Sequence, residues 1–124
     1  MVVDDDVGML RLLEIVLRRH SFTVAKAMDA CTALSLLDSQ TPDLFILDVM
    51  MPDMDGIELC KRLRALPQTN QTPVIILSPH GDAASMAQGL KAGADVCLPK
   101  TTLPRDLASK VRKLLGLEAA EAQT

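Results

Sequence analysis

Phe45-Ile46-Leu47-Asp48-Val49-Met50-Met51-Pro52-Asp53-Met54-Asp55-Gly56 begins as an apolar run, breaks off at a carboxylate and gives way to a loop of Met, Pro, Asp and Gly. A strand that buries its apolar side chains and stops at Asp48 carries that acid at its carboxyl end. In open α/β sheets that edge is where ligands bind. Val74-Ile75-Ile76-Leu77-Ser78 repeats the pattern. A nearly unbroken apolar run of this length marks a parallel strand covered on both faces, and again a polar residue stands at its end.

The rest of the chain alternates between the two periodicities. Met1-Val2-Val3 runs into Asp4, Asp5 and Asp6; it is shorter than a usual strand, which predicts a trimmed strand or one that starts upstream. Met9, Leu12, Leu13, Val16 and Leu17 recur at helical spacing behind Asp6 as N-cap. Phe22 to Ala27 predicts a second strand, and Cys31 to Leu37 a helix with Ala30, Ala33, Leu34 and Leu37 inward. After the Asp48 strand, Ile57, Leu59, Cys60, Leu63 and Leu66 mark a helix capped by Asp55, and Pro67 to Pro73 reads as a loop. Ala83 to Ala92 predicts a weak helix, interrupted by Gly89 and closed by Gly93 as C′ residue. Val96-Cys97-Leu98 is a fifth strand ended by Pro99 and Lys100. A last helix from near Pro104 carries Leu107, Val111, Leu114 and Leu115, with Lys110, Arg112 and Lys113 suited to its negative end. Strand and helix in strict alternation imply a parallel sheet with helices on both faces, joined by right-handed crossovers.

The chain of 124 residues suits a single domain with a continuous core. Residues 1–117 are expected to form it, with 118–124 as a tail or the start of a linker. Phe22 and Phe45 are the only aromatic residues, so base-stacking platforms for single-stranded nucleic acid are ruled out. A formal charge of −3 argues against this domain gripping a phosphate backbone directly. Cys31, Cys60 and Cys97 have neither disulfide-framework nor zinc spacing, and are expected as buried free thiols of a reducing, cytoplasmic environment. No apolar run is long enough to span a membrane.

Because parallel strands all point the same way, Asp4, Asp5, Asp48, Ser78 and Lys100 gather at one rim. Clustered carboxylates repel unless a cation offsets them. Mg2+ suits such a set, since it takes one or two carboxylates and leaves positions for phosphate oxygens. A carboxylate nucleophile beside a magnesium ion and a lysine is an arrangement for phosphoryl transfer.

These residues are where the chain resembles a known family, the receiver domains of bacterial two-component response regulators. The resemblance runs through Val2-Val3-Asp4-Asp5-Asp6, the Leu47 to Gly56 stretch, Ser78, Ala92-Gly93-Ala94-Asp95 and Pro99-Lys100, and covers essentially the whole chain. It implies a three-layer, doubly wound, flavodoxin-like fold. It also implies that Asp48 accepts phosphate from a sensor histidine kinase or phosphotransfer protein, that Asp4, Asp5, Asp48 and the Met50 carbonyl hold Mg2+, that Ser78 binds a phosphoryl oxygen, and that Lys100 pairs with the phosphoryl group. An output domain or separate target protein would read the change. Some members dimerise through a charge set on the last strand and helices; Asp95, Asp106 and Lys110 belong to it, Met86 and Val96 interrupt it, and a homodimer is left open. Asp53 and Asp55 need only turn and N-cap roles, and Met51 and Met54 only packing roles.

Three positions depart from the family. Pro79 follows the hydroxyl residue where a backbone N–H ordinarily donates to the phosphoryl group; proline has none, which predicts a phosphorylated state less stabilised by about 1.5–3 kcal/mol. Cys97 stands where an aromatic ring ordinarily swings, so signal is expected to pass through the Ser78 loop and the Ala83 to Ala92 helix. Thr101 follows Lys100 where the family has a cis proline. A non-proline cis bond costs roughly 2.5–4 kcal/mol, so either a trans bond with a rearranged loop or a strained site is expected. Met50 and His80 occupy positions that tune hydrolysis of the phosphoaspartate, and apolar Met50 is expected to slow it.

Two other functions fit less of the sequence. A pseudo-receiver of the same fold would act as a phosphate-independent interaction module. An aspartyl-nucleophile phosphatase of the haloacid-dehalogenase type requires a second acid two residues after the nucleophile, where Met50 stands. Domains of the resembled family signal and self-phosphorylate; they are not enzymes in the ordinary sense.

Overall fold

In β3 (Phe45–Asp48) and β4 (Val74–Ser78) every side chain is buried, and successive residues serve opposite faces of the sheet. Phe45, Leu47, Val74 and Ile76 join one core cluster, whereas Ile46, Ile75 and Leu77 join another. That is the period of two expected when both faces are covered. The computed structural model describes residues 1–79, 81 and 83–117; the expected tail at 118–124 lies outside them.

The order along the chain is β1 (Val2–Val3), α1 (Val7–Arg19), β2 (Lys26–Ala27), α2 (Ala30–Leu36), β3, α3 (Gly56–Ala65), β4, α4 (Ala83–Lys91), β5 (Val96–Pro99) and α5 (Pro104–Leu114). All strand pairs are parallel, in the order β2-β1-β3-β4-β5. On one face Leu10, Leu13 and Leu17 of α1 pack with Leu107, Ala108 and Val111 of α5. On the other, Ala30 and Ala33 of α2 meet Leu59, Cys60 and Leu63 of α3, with Met86 of α4 at the margin. The winding reverses between β1 and β3, so the switch-point crevice opens between the ends of those strands.

The expected caps are in place. Asp6 Oδ1 accepts from the N–H of Gly8 at 2.9 Å and of Met9 at 3.4 Å, and Asp55 Oδ1 accepts from Glu58 N at 2.7 Å. Gly93 closes the α4 end at φ 113°, a backbone region that favours glycine. Met51 and Met54 pack against the core.

Several details differ from expectation. The second strand is confined to Lys26–Ala27 rather than starting at Phe22, because β1 offers only Val2 and Val3 as partners; Phe22 and Val24 still pack beneath α1 and α5. β5 includes Pro99, which an edge strand tolerates because its outer side needs no donor. Cys31 is exposed, in contrast to buried Cys60 and Cys97, because it lies on the outer side of the first turn of α2. Asp53 has a tertiary role instead of a turn role: its carboxylate accepts from the N–H of Ala30 at 3.2 Å and of Cys31 at 2.9 Å, which ties the β3–α3 loop to the start of α2. The bond from Cys31 is the main cause that holds the Asp53 carboxyl below its ordinary pKa; burial opposes it, and the bond from Ala30 adds to the lowering.

Candidate functional site

Each rim residue is fixed by the backbone of the strand it ends. Asp4 N donates to Ala27 O at 3.0 Å, extending β1 onto β2 by one bond, and Lys100 N donates to Ser78 O at 2.7 Å, joining the ends of β5 and β4. Asp48 pairs with Leu77 across β3 and β4. Behind it, Gly56 N donates to Val49 O at 2.9 Å, and α3 starts so close to β3 that a Cβ on Gly56 would overlap the Asp48 carbonyl oxygen. A glycine at that point sets how the loop leaves Asp48.

The side chains converge as the strand ends require. Asp4, Asp5 and Asp48 bring one carboxylate oxygen each to within 4.8 Å of one another. Asp4 and Asp48 are both 2% exposed, while Asp5 faces solvent. Lys100 Nζ lies 3.1 Å from Asp48 Oδ2 and 3.1 Å from Asp4 Oδ2, bridging the two buried acids. Asp4 Oδ1 also accepts from Asp6 N at 2.9 Å. Asp48 Oδ1 is buried with no hydrogen-bond partner among the described residues.

Burial first, and then the charge of Asp4, push the Asp48 carboxyl up to about 6; the hydrogen bond and charge of Lys100 offset only part of this. For Lys100, burial works to lower the pKa, but its bonds to Asp48 and Asp4 outweigh that and raise it. The ammonium thus stays charged between two acids that it does not fully neutralise. An orphaned carboxylate oxygen facing two more carboxylates is a donor set for a hard divalent cation, so these residues fit Mg2+.

Ser78 is 1% exposed at the end of β4, and its Oγ accepts from Gly81 N at 3.3 Å. Met50 follows the Asp48 strand with its side chain 61% exposed, an apolar group where a haloacid-dehalogenase phosphatase has its second acid. The Lys100–Thr101 bond is trans, and no cis bond occurs among the described residues. The loop is rearranged instead: Pro99 O accepts from Thr102 N at 3.0 Å and from Thr102 Oγ1 at 2.7 Å, a turn that leaves Lys100 over the acids.

Three features escaped sequence reasoning. Arg64 donates to the carbonyls of Gly93 at 2.9 Å, Thr69 at 3.1 Å and Thr72 at 2.6 Å, and pairs with Asp95 Oδ2 at 3.0 Å. Asp95 Oδ2 also accepts from Val74 N at 2.8 Å, so this acid is engaged within the chain. Gly89 lies flat against β5, where a Cβ would overlap Cys97 Sγ. The third is the Gly81 bond to Ser78. Nothing local in the sequence signals any of them, because each joins segments far apart or turns on a backbone direction.

A doubly wound parallel sheet thus carries a cation-ready acid cluster and a lysine at the carboxyl ends of its strands. The sequence profile of the response regulator receiver domain matches residues 1–112, and the chain belongs to that family. It is therefore a receiver domain of two-component signalling. It is 44% identical to the transcriptional regulatory protein CpxR of Klebsiella pneumoniae over 93% of this chain and 48% of CpxR; the chain spans about half the length of such relatives. Among solved structures, the receiver domain of Francisella response regulator 1452 is similar at 34% identity and TM-score 0.84, over 91% of this chain and 92% of that one. The BeF3-activated DrrB receiver domain is similar at 30% identity and TM-score 0.84, over 93% and 94%. Among the described residues, no helix is long and apolar enough to cross a membrane.

Proposed function

We propose that this domain is a phosphoacceptor switch with Asp48 as the acceptor. The observation that carries this reading is the buried, unpartnered Asp48 Oδ1, set beside Asp4 and Asp5 and opposite the lysine that holds Oδ2. One oxygen is occupied and oriented; the other is available.

In the proposed reaction a carboxylate oxygen of Asp48 forms a bond to phosphorus as the phosphorus–nitrogen bond of a phosphohistidine breaks, and the imidazole leaves. Asp4, Asp5, Asp48 and the Met50 carbonyl would hold Mg2+, which offsets charge on the phosphoryl oxygens. Lys100 neutralises the same charge from the other side, and the Ser78 hydroxyl donates to a phosphoryl oxygen. Buried positions for Asp4, Asp48 and Ser78 keep water from screening these contacts. Exposed, apolar Met50 offers no group to activate a hydrolytic water, which favours slow loss of the phosphoryl group.

The partners proposed are a sensor histidine kinase or phosphotransfer protein as donor and an output domain or target protein as reader. CpxR is named as a transcriptional regulator, and an output of that kind suits this domain, whose own charge of −3 gives it no grip on DNA. The setting proposed is the cytoplasm. With Asp95 held by Arg64, a homodimer through the α4–β5–α5 face would have to use other contacts.

Incubating the protein with acetyl phosphate and Mg2+ tests the reading. Intact mass should rise by one phosphoryl group in the wild type and not in Asp48→Asn. A wild type that stays unlabelled would be a pseudo-receiver.

A further inference from the structure

Ser78 ends β4 inside the protein, 1% exposed. The next residue, Pro79, is exposed and brings no N–H. Gly81 N donates to Ser78 Oγ at 3.3 Å. Gly81 stands at φ 61°, in the left-handed region, and a Cβ on it would lie 3.0 Å from Pro99 Cβ and 3.2 Å from Pro99 Cγ. Pro99 is the residue opposite Ser78 in the β4–β5 register and immediately precedes Lys100. Gly81 therefore lies close against Pro99 at the end of β5, and glycine fits there on both counts.

A serine hydroxyl has one proton and two lone pairs. A backbone N–H that occupies one lone pair removes some of the directions in which the hydroxyl can turn, and it polarises the O–H into a better donor. Where negative oxygens collect beside Asp48 and Lys100, a directed donor is worth more than a freely rotating one.

We infer that Gly81 is the positioning residue for Ser78: its N–H holds the Ser78 oxygen and commits the hydroxyl proton to a phosphoryl oxygen as it arrives on Asp48. It makes up in part for the donor that Pro79 lacks. The hydroxyl donates a hydrogen bond and keeps its proton, so the balance of the transfer is unchanged. This role rests on Asp48 being the phosphoacceptor.

The test is a double-substitution cycle on initial rates of labelling by acetyl phosphate with Mg2+, followed by intact mass. Alanine keeps the backbone N–H, but φ 61° and the contact with Pro99 force it to shift and carry that N–H off Ser78 Oγ; Gly81→Ala and Ser78→Ala should therefore each slow labelling about tenfold, the scale of one hydrogen bond. The double variant should be no slower than Ser78→Ala, because Gly81 acts through the hydroxyl. Losses that multiply, or a Gly81→Ala rate equal to wild type, would overturn the inference. An amide spectrum of the wild type and Ser78→Ala needs no change at Gly81 and serves if Gly81→Ala fails to fold: the Gly81 amide proton should move upfield when its acceptor is removed, and an unmoved signal would overturn the inference. Labelling of Asp48→Asn at the wild-type rate would instead overturn the phosphoacceptor reading, while the Gly81 amide shift would still report the bond.

Discussion

Lys100 Nζ lies 3.1 Å from Asp48 Oδ2 and is also within reach of both oxygens of Asp4, so one ammonium serves two buried acids. A single positive charge cannot satisfy both, and the excess falls on Asp48, whose Oδ1 has no partner among the described residues.

The metal-free domain should therefore gain stability when that charge is removed. Asp48→Asn is expected to raise stability by about 1–3 kcal/mol, the cost of an unsatisfied buried group, read as a shift in urea midpoint at pH 7 in the presence of a chelator. The pH dependence has a definite sign. With the folded Asp48 pKa raised from 3.8 to about 6, the folded state binds a proton between those values that the unfolded state does not. Asp48's contribution thus falls as pH rises from about 4 to about 6 and stays low above it. Asp48→Asn should flatten that decline; a parallel decline in both proteins would contradict it.

Asp5 is the exposed member of the acid cluster, so its replacement separates metal binding from folding. Asp5→Asn should leave the metal-free stability within about 0.5 kcal/mol of wild type yet weaken Mg2+ binding at least tenfold, since even groups behind the ligands matter by roughly 10–100-fold. Titration calorimetry reads this directly. Mg2+ affinity of the wild type should also fall as pH drops below about 6, where protons compete for Asp48.

Where a strand end fixed the residue, sequence was sufficient. Asp4, Asp48, Ser78 and Lys100 each end an apolar run, and parallel strands bring such ends together whatever the loops do. Asp53 and Arg64 were opaque because their partners lie at Ala30, Cys31, Gly93 and Asp95, on other elements. The length of β2 depended on how much β1 could pair, which no pattern in Phe22 to Ala27 contains. Cys31 was expected inside because thiols usually are, but the placement of α2 leaves it outside. Thr101 posed a choice between strain and rearrangement, and the Pro99–Thr102 turn is the rearrangement.

Pro79 brings no N–H to the rim beside Ser78. Pro79→Ala should restore a donor to the phosphoryl group worth about 1.5–3 kcal/mol, seen as a higher steady-state level of phosphorylation at fixed acetyl phosphate and a longer phosphoaspartate lifetime. Unchanged level and lifetime would show that the missing donor has no consequence.

Gly89 and Cys97 are matched in size across α4 and β5. Gly89→Ala drives a methyl group into Cys97 Sγ and should cost roughly 1–3 kcal/mol, whereas adding Cys97→Ala should recover much of it. Thermal unfolding of the two single variants and the double variant measures the coupling; additive losses would show that the contact does not set the packing of α4.

The most direct measurement is the site and metal dependence of phosphoryl uptake. Wild-type protein treated with acetyl phosphate should gain one phosphoryl group with Mg2+ and none with chelator, and peptide mapping should place it on Asp48. Label on another residue, equal label without Mg2+, or none at all would contradict Asp48 as the acceptor.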